Sequence, residues 1–243
     1  MTAELWWLLI SKQVRLANFM SGFSAIILGA GTGERMRGID KIMTTICGLP
    51  TILHSVNAFL RTGIFETMTV VANTHNISKL EHLMSSPEYR AVQVILGGIR
   101  RQDSVKNALA TIDAVDYVVI HDGARPCVSS DLVGRAIKAT RTSDAAIPVV
   151  PVTDTIKIVR EFRVVSTVDR SNLFSTQTPQ VFKYSHISKF HKMFTDGVTD
   201  DSSLVEISGG DVSTFAGDPE NIKITNPIDI EIAETILQRR KNL

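Results

Sequence analysis

From Ser24 to Val152 the chain alternates short apolar runs rich in β-branched residues with segments whose apolar positions recur at helical spacing, and few folds accept that rhythm. The runs "SAIILGA", "TMTVVAN", "AVQVILGG", "DYVVIHDGA" and "AAIPVVPV" read as strands. Between them "PTILHSVNAFLRT", "ISKLEHLMSS", "DSVKNALATI" and "SDLVGRAIKATR" read as helices. Near-continuous apolar strands joined by single helices imply an α/β fold: a mostly parallel sheet with helices on both faces and right-handed crossovers. Ligands of such a sheet sit beyond the carboxyl ends of its strands. The loops there are "GAGTGERM", "NTHN", "GGIRRQDS", "HDGARP" and "PVTDT", which hold most of the unusual polar clusters.

The 243 residues can bury one large core, and a single domain spanning 23–243 is the economical reading. Residues 1–22 read as an extension outside the fold, because the apolar run Leu5 to Ile10 is far shorter than the roughly 18 residues of a membrane span. Met20 could equally be the true start. With 26 basic against 25 acidic side chains, no general field points to nucleic acid or a membrane surface, so any phosphate affinity must be local. Cys47 and Cys127 form neither a disulfide framework nor a metal spacing, which suits a reducing cytoplasm. His186 and His191 are five apart, not the four that share a helix face as zinc ligands.

After Pro151 the rhythm changes. "DTIKIV" and "RVVSTV" form a two-stranded arm over 153–168 that is too small to bury a core alone, so it packs on its own domain or on a partner subunit. Strands at "DVSTFAGD" and "NIKIT" follow, then a helix with Asn226 as N-cap and Pro227 at its first position.

In "AIILGAGTGERM" the glycines at 29, 31 and 33 are followed by Glu34, where a dinucleotide fingerprint wants Gly or Ala, and the run lacks the Gly-Lys-Ser/Thr of a Walker loop. What remains is a backbone free to approach phosphate oxygens, followed at once by Arg35: a site suited to a triphosphate, or an ordinary strand-to-helix turn. Lys41, six residues beyond Arg35, could join it on one anion and neutralise charge developing at a phosphorus. Asp122 ends an apolar strand, where a sheet enzyme holds a metal-associated carboxylate, although a turn carboxylate would look the same. His121 reads as a hydrogen-bonded structural residue. Gly97 and Gly98 free backbone groups that could read a base together with the Ser104 hydroxyl, while Asp103 or Ser104 could equally be a plain N-cap. Arg170 and Lys223 can each hold a second phosphate or simply be solvated.

Taken in order, "AIILGAGTGERM", Lys41, "GGIRRQDSV", "HDGARP", "PVTDTIK", "TVDR", "TQTPQVF", "TDDSS" and "NIKIT" closely resemble the 2-C-methyl-D-erythritol 4-phosphate cytidylyltransferases from about Phe23 onward. The resemblance implies a Rossmann-like nucleotidyltransferase fold that joins CTP to methylerythritol phosphate, with release of pyrophosphate and help from Mg²⁺, in the non-mevalonate isoprenoid pathway. By the same resemblance, Arg35 and Lys41 stabilise the transition state, and Arg170 and Lys223 position methylerythritol phosphate. Ala30, Gly31 and Gly33 hold the triphosphate, Gly98 and Ser104 contact cytosine, and Asp122 and Arg125 lie near ribose and metal. Thr155 and Thr178 match threonines near the second substrate, and the arm matches a homodimerisation arm that reaches the neighbouring active site. The nucleophile is an already ionised phosphate oxygen, so no side-chain base is required.

Four positions depart from the family pattern, Ile42 and Met43 among them where glutamine and an aromatic are usual. Asp40 precedes Lys41 where proline is usual and is expected to pair with it and reduce activity, and Gly123 replaces alanine. The pair Arg100-Arg101 occupies the cytosine loop, so base contacts there fall to backbone. Rival readings are a ribitol 5-phosphate cytidylyltransferase, which shares the glycine turn, lysine and "TPQ", and a non-catalytic nucleotide-binding protein.

Overall fold

The computed structural model describes residues 22–31, 40–113, 115–140, 143–194 and 198–242. Its centre is an eight-stranded sheet in the order β10-β7-β11-β6-β1-β4-β5, with β12 beside β7. The strands are β1 (Phe23–Leu28), β4 (Phe65–Ala72), β5 (Val92–Leu96), β6 (Tyr117–Asp122), β7 (Ala145–Pro151), β10 (Phe174–Thr176), β11 (Gln180–Lys183) and β12 (Val212–Ala216). Outside the sheet, β2 (Thr45–Ile46) pairs with β3 (Leu49–Pro50). The pairs β1–β4, β1–β6, β4–β5 and β7–β12 are parallel. The helices are α1 (Thr51–Leu60), α2 (Ile77–Met84), α3 (Arg101–Leu109), α4 (Ser130–Ala139), α5 (Tyr184–Met193), α6 (Ser202–Ile207) and α7 (Ile228–Lys241).

The unbroken apolar run of β1 has a direct cause. Ala25 and Ile27 enter one core cluster with Phe59 and Leu132, while Ile26 enters a second with Val105 and Phe182. Because successive side chains leave opposite faces of a strand, both faces of β1 are buried and neither can be polar. Each such fully buried aliphatic or aromatic side chain contributes about 1.5–3 kcal/mol of transfer free energy.

Three local readings change. The helix after the double glycine begins at Arg101, two residues earlier than "DSV" suggests, and the Asp103 carboxylate instead accepts from the backbone N–H of Arg100 at 3.2 Å. "NIKIT" is not a strand. It is an extended strap tied by the Ile224 N–H to the Ala124 carbonyl (2.8 Å) and by the Arg125 guanidinium to the Asn221 carbonyl (2.8 Å). The last helix starts one residue later, at Ile228, after the Asp229 carboxylate accepts from the Thr225 and Asn226 N–H groups at 2.7 and 2.8 Å.

The segment "TQTPQVF", read only as a binding motif, also builds the sheet. Its β11 runs antiparallel between β6 and β7, with Gln180 opposite Ile120 and Val181 opposite Ala146. Alternation alone does not distinguish a parallel from an antiparallel neighbour, so only the assembled sheet reveals this insertion.

The arm is a hairpin of β8 (Ile156–Arg160) and β9 (Arg163–Val168) forming a separate two-stranded sheet. It turns at Glu161 and Phe162, both at positive φ (46° and 61°), the backbone of the tight hairpin turn that matches strand twist. Its Val159, Phe162, Val164 and Val165 are exposed.

Candidate active site

The site lies where the strand order reverses. β1 has β4 and β5 on one side and β6 on the other, and the crevice above its carboxyl end is where doubly wound sheets bind ligands. A cavity of about 210 Å³ opens there, and its lining brings together Ala30, Gly31, Lys41, Gly98, Ser104, Asp122 and Lys223. Gly33 and Arg35, on which the triphosphate expectation also rests, lie outside the described residues.

Each wall has a local reason. A Cβ on Gly98 would lie 2.3 Å from the Asp103 Cβ, so only glycine lets the end of β5 approach the start of α3 this closely. The Gly98 N–H then donates to the Ser104 hydroxyl at 3.1 Å, fixing that hydroxyl at the cavity edge. Lys41 sits on a turn fastened by its neighbour. The Asp40 carboxylate accepts from the Ile42 N–H at 3.0 Å and from the Asn76 amide at 3.4 Å, and the same amide donates to the Gly29 carbonyl at 3.2 Å. Asp40 thus closes the turn that carries Lys41 and ties it to the end of β1, a role the sequence pattern did not suggest.

Asp122 is the electrostatic centre. Its Oδ2 accepts from the Lys223 ammonium at 2.7 Å, its Oδ1 accepts from the Arg101 guanidinium at 3.4 Å, and the Arg125 Nε stands 3.9 Å away. Burial alone would raise its pKa, yet Arg101, Lys223 and Arg125 together hold the carboxyl well below the usual carboxylate range. Among the described residues Asp122 is the single carboxylate lining this cavity, and no three His, Cys, Asp or Glu side chains cluster as metal ligands. Mg²⁺ prefers one or two carboxylates plus substrate phosphates, and a single carboxylate is compatible with that preference.

A second cavity of about 430 Å³ adjoins the first and shares Arg101, Asp122 and Lys223 with it. Two expected residues line this second cavity and not the first: Arg125, expected beside the nucleotide, and Thr178, expected beside the second substrate. Arg125 lines it while bracing the strap at Asn221, which makes Arg125 a strut behind Asp122. Thr178 also lines it, but its hydroxyl is already engaged, accepting from the Asp122 N–H at 3.0 Å and lying 3.0 Å from His121 Nδ1. Thr155 and Arg170 line neither cavity. Both are exposed at the base of the arm, where the Arg170 guanidinium donates to the Thr153 carbonyl.

The residue the sequence reading missed is Arg101. It turns away from the base loop, with its guanidinium between Asp122 and Asp201, and so lines both cavities. Its partner Asp201 is 100 positions away in the chain, and no local pattern announces that pairing.

His121 is structural, as its place on a buried strand suggested. Burial pushes its pKa down to about 3, against 6.5 for the free side chain. Between those values the unfolded chain binds a proton that the folded chain refuses, so this contribution is full above the unfolded pKa and is lost as pH falls below it. The loss approaches about 1.4 kcal/mol per pH unit. Urea unfolding at pH 7 and pH 5 should show a steeper loss for wild type than for His121→Gln, and equal slopes would remove His121 as the cause.

A glycine floor, a ring of cations and a switch-point crevice define a nucleotide-binding α/β protein of the nucleotidyltransferase type. The chain belongs to the 2-C-methyl-D-erythritol 4-phosphate cytidylyltransferase (IspD) family, whose model matches residues 23–239. It is 40% identical over 224 residues to the 2-C-methyl-D-erythritol 4-phosphate cytidylyltransferase of Bacillus mycoides, covering 90% of this chain and 99% of that protein. The corresponding enzyme of Dehalococcoides mccartyi is 36% identical over 217 residues, covering 88% of this chain and 96% of the relative. Among solved structures, the 4-diphosphocytidyl-2C-methyl-D-erythritol synthase of Anaerococcus prevotii superposes with a TM-score of 0.80 at 27% identity, over 90% of this chain and 100% of that one. Among the described residues no helix is long and apolar enough to cross a membrane.

Proposed function

We propose that the chain transfers a cytidylyl group from CTP to 2-C-methyl-D-erythritol 4-phosphate, giving 4-diphosphocytidyl-2-C-methyl-D-erythritol and pyrophosphate in the non-mevalonate isoprenoid pathway. The observation that carries this reading, beside family membership, is the pair of adjoining cavities with one charged wall in common. A donor in the first and an acceptor in the second would meet at Asp122, Lys223 and Arg101. A phosphate oxygen of the acceptor attacks the α-phosphorus, the bond to the β-phosphate breaks, and pyrophosphate leaves. Lys41 and Arg35 neutralise charge building on the α-phosphate, and Lys223 and Arg170 aim the acceptor phosphate. Ala30, Gly31 and Gly33 cradle the triphosphate, Gly98 and Ser104 meet the cytosine, and Thr155 and Thr178 stand by the acceptor. Asp122 and the CTP phosphates would hold Mg²⁺, which would supply positive charge to offset that of the phosphates.

The arm makes the active unit a homodimer in this reading. Its exposed apolar side chains need a partner surface, and Thr155 and Arg170 line neither of these two cavities in their own subunit. Residues 1–22 lie outside the catalytic domain of 23–243, and the free thiols at Cys47 and Cys127 suit the cytoplasm. Pyrophosphate release from CTP and Mg²⁺ tests the reaction, with methylerythritol phosphate and ribitol 5-phosphate assayed in parallel. Release with methylerythritol phosphate is expected. Release with ribitol 5-phosphate alone would overturn the reading, and release with neither would leave a nucleotide-binding protein without catalysis.

A further inference from the structure

Behind the wall shared by the two cavities stands a buried support that touches neither of them. Arg101 is the first residue of α3, and its side chain spans two carboxylates: Nε to Asp122 at 3.4 Å and Nη1 to Asp201 at 2.7 Å. Asp201 has a side chain only 1% exposed, precedes α6, and lines neither cavity. Its second oxygen lies 3.1 Å from His191 Nε2 on α5, and that side chain too is 1% exposed. Two helices away from the glycine floor therefore converge on one guanidinium.

The arrangement matters because Lys223 has two duties. In the structure its ammonium is paired with Asp122 at 2.7 Å, and to hold a substrate phosphate it must leave that carboxylate. Asp122 would then be a largely buried carboxylate whose remaining direct hydrogen-bonded cation is Arg101. Arg101 lines the same cavities, so bound phosphates would draw it away as well. Moving it, however, would take from the buried Asp201 carboxylate its guanidinium partner and leave it the His191 ring contact, and removing the cation from a buried carboxylate is strongly unfavourable.

We propose that Asp201, backed by His191, is a positioning residue for cytidylyl transfer: it anchors Arg101 against Asp122 so that Lys223 can be released to the acceptor phosphate. The inference rests on the cytidylyl-transfer reading above. Asp201 touches no substrate in this account. It acts by keeping a fixed positive charge at the junction of donor and acceptor, where small displacements are costly because the reaction depends on in-line alignment.

The test is steady-state kinetics of Asp201→Asn, Asp201→Glu, Arg101→Lys and the Arg101→Lys/Asp201→Asn double variant in the full chain, each checked for folding by circular dichroism and thermal melting. Asp201→Asn should lower kcat by about a hundredfold, the scale of loss expected when a reacting group is misplaced by about 1 Å, while KM for CTP changes less than about threefold. Asp201→Glu should recover part of the loss. In the Arg101→Lys background, adding Asp201→Asn should cost less than about threefold, because the two residues act as one unit. A wild-type kcat in folded Asp201→Asn, or a full second loss in the double variant, would overturn the proposal. Should Asp201→Asn fail to fold, His191→Phe, which keeps a ring but removes the donor toward Asp201, should lower kcat by about tenfold, and an unchanged kcat would be as decisive against it. Wild-type protein inactive with CTP and methylerythritol phosphate would instead defeat the underlying functional reading.

Discussion

Lys41→Ala is expected to lower kcat by about 10²–10³-fold while leaving CTP affinity within about threefold, the signature of a donor that acts on charge developing in the transition state. Lys41 lines the first cavity beside Ala30 and Gly31, on a turn whose geometry is set before any ligand binds. The Thr44 N–H donates to the Asp40 carbonyl at 2.9 Å and the Ile42 N–H to the Asp40 carboxylate at 3.0 Å. Preorganisation of this kind is what makes a fixed cation worth more in a site than in water. Single-turnover rates together with CTP titration separate the outcomes: weaker CTP binding at unchanged kcat would make Lys41 a ground-state ligand only. Asp40→Ala gives a sign test on the neighbour. If Asp40 blunted the lysine by pairing, its removal would raise activity. The hydrogen bonds it makes to the turn predict the reverse, a fall in kcat as the turn loosens.

The second large effect concerns the arm. Arg170→Ala and Lys223→Ala should each leave less than about 1% of wild-type activity, since on the proposed reading each removes a cation from the acceptor phosphate. Mixing the two inactive proteins under conditions that let subunits exchange should restore activity. If the arm of one subunit completes the site of the other, a mixed dimer contains one intact site, with Lys223 from one chain and Arg170 from its partner. Random pairing would then return about a quarter of wild-type activity. No recovery, with subunit exchange demonstrated by labelled chains, would place Arg170 in its own subunit's site. The exposed position of Arg170 and Thr155, away from both cavities of their own chain, argues against that result.

Much of the site was legible because it is built from backbone. Gly31 and Gly98 stand at strand ends, where the apolar pattern stops and backbone amides become available, and both line the cavity. Asp122 could be found the same way, as the last residue of a buried strand. Other features depend on neighbours that spacing does not encode. Thr178 lines the second cavity, and because β11 enters the sheet beside β6 its hydroxyl also accepts from the backbone N–H of Asp122. Arg101 read only as one of a charged pair in the cytosine loop. It is instead fixed by Asp201, with His191 behind it.

By itself the sequence determined the fold class and the location of the crevice. Strand and helix periodicity report burial on one or two faces, and glycines at strand ends report close backbone approach, both of them local properties of the chain. Only the tertiary structure decided how charge is distributed in that crevice. Asp122 meets Lys223 across 101 positions of chain and Arg101 meets Asp201 across 100, and the free energy of such contacts depends on burial and geometry that exist only once the sheet has closed around them.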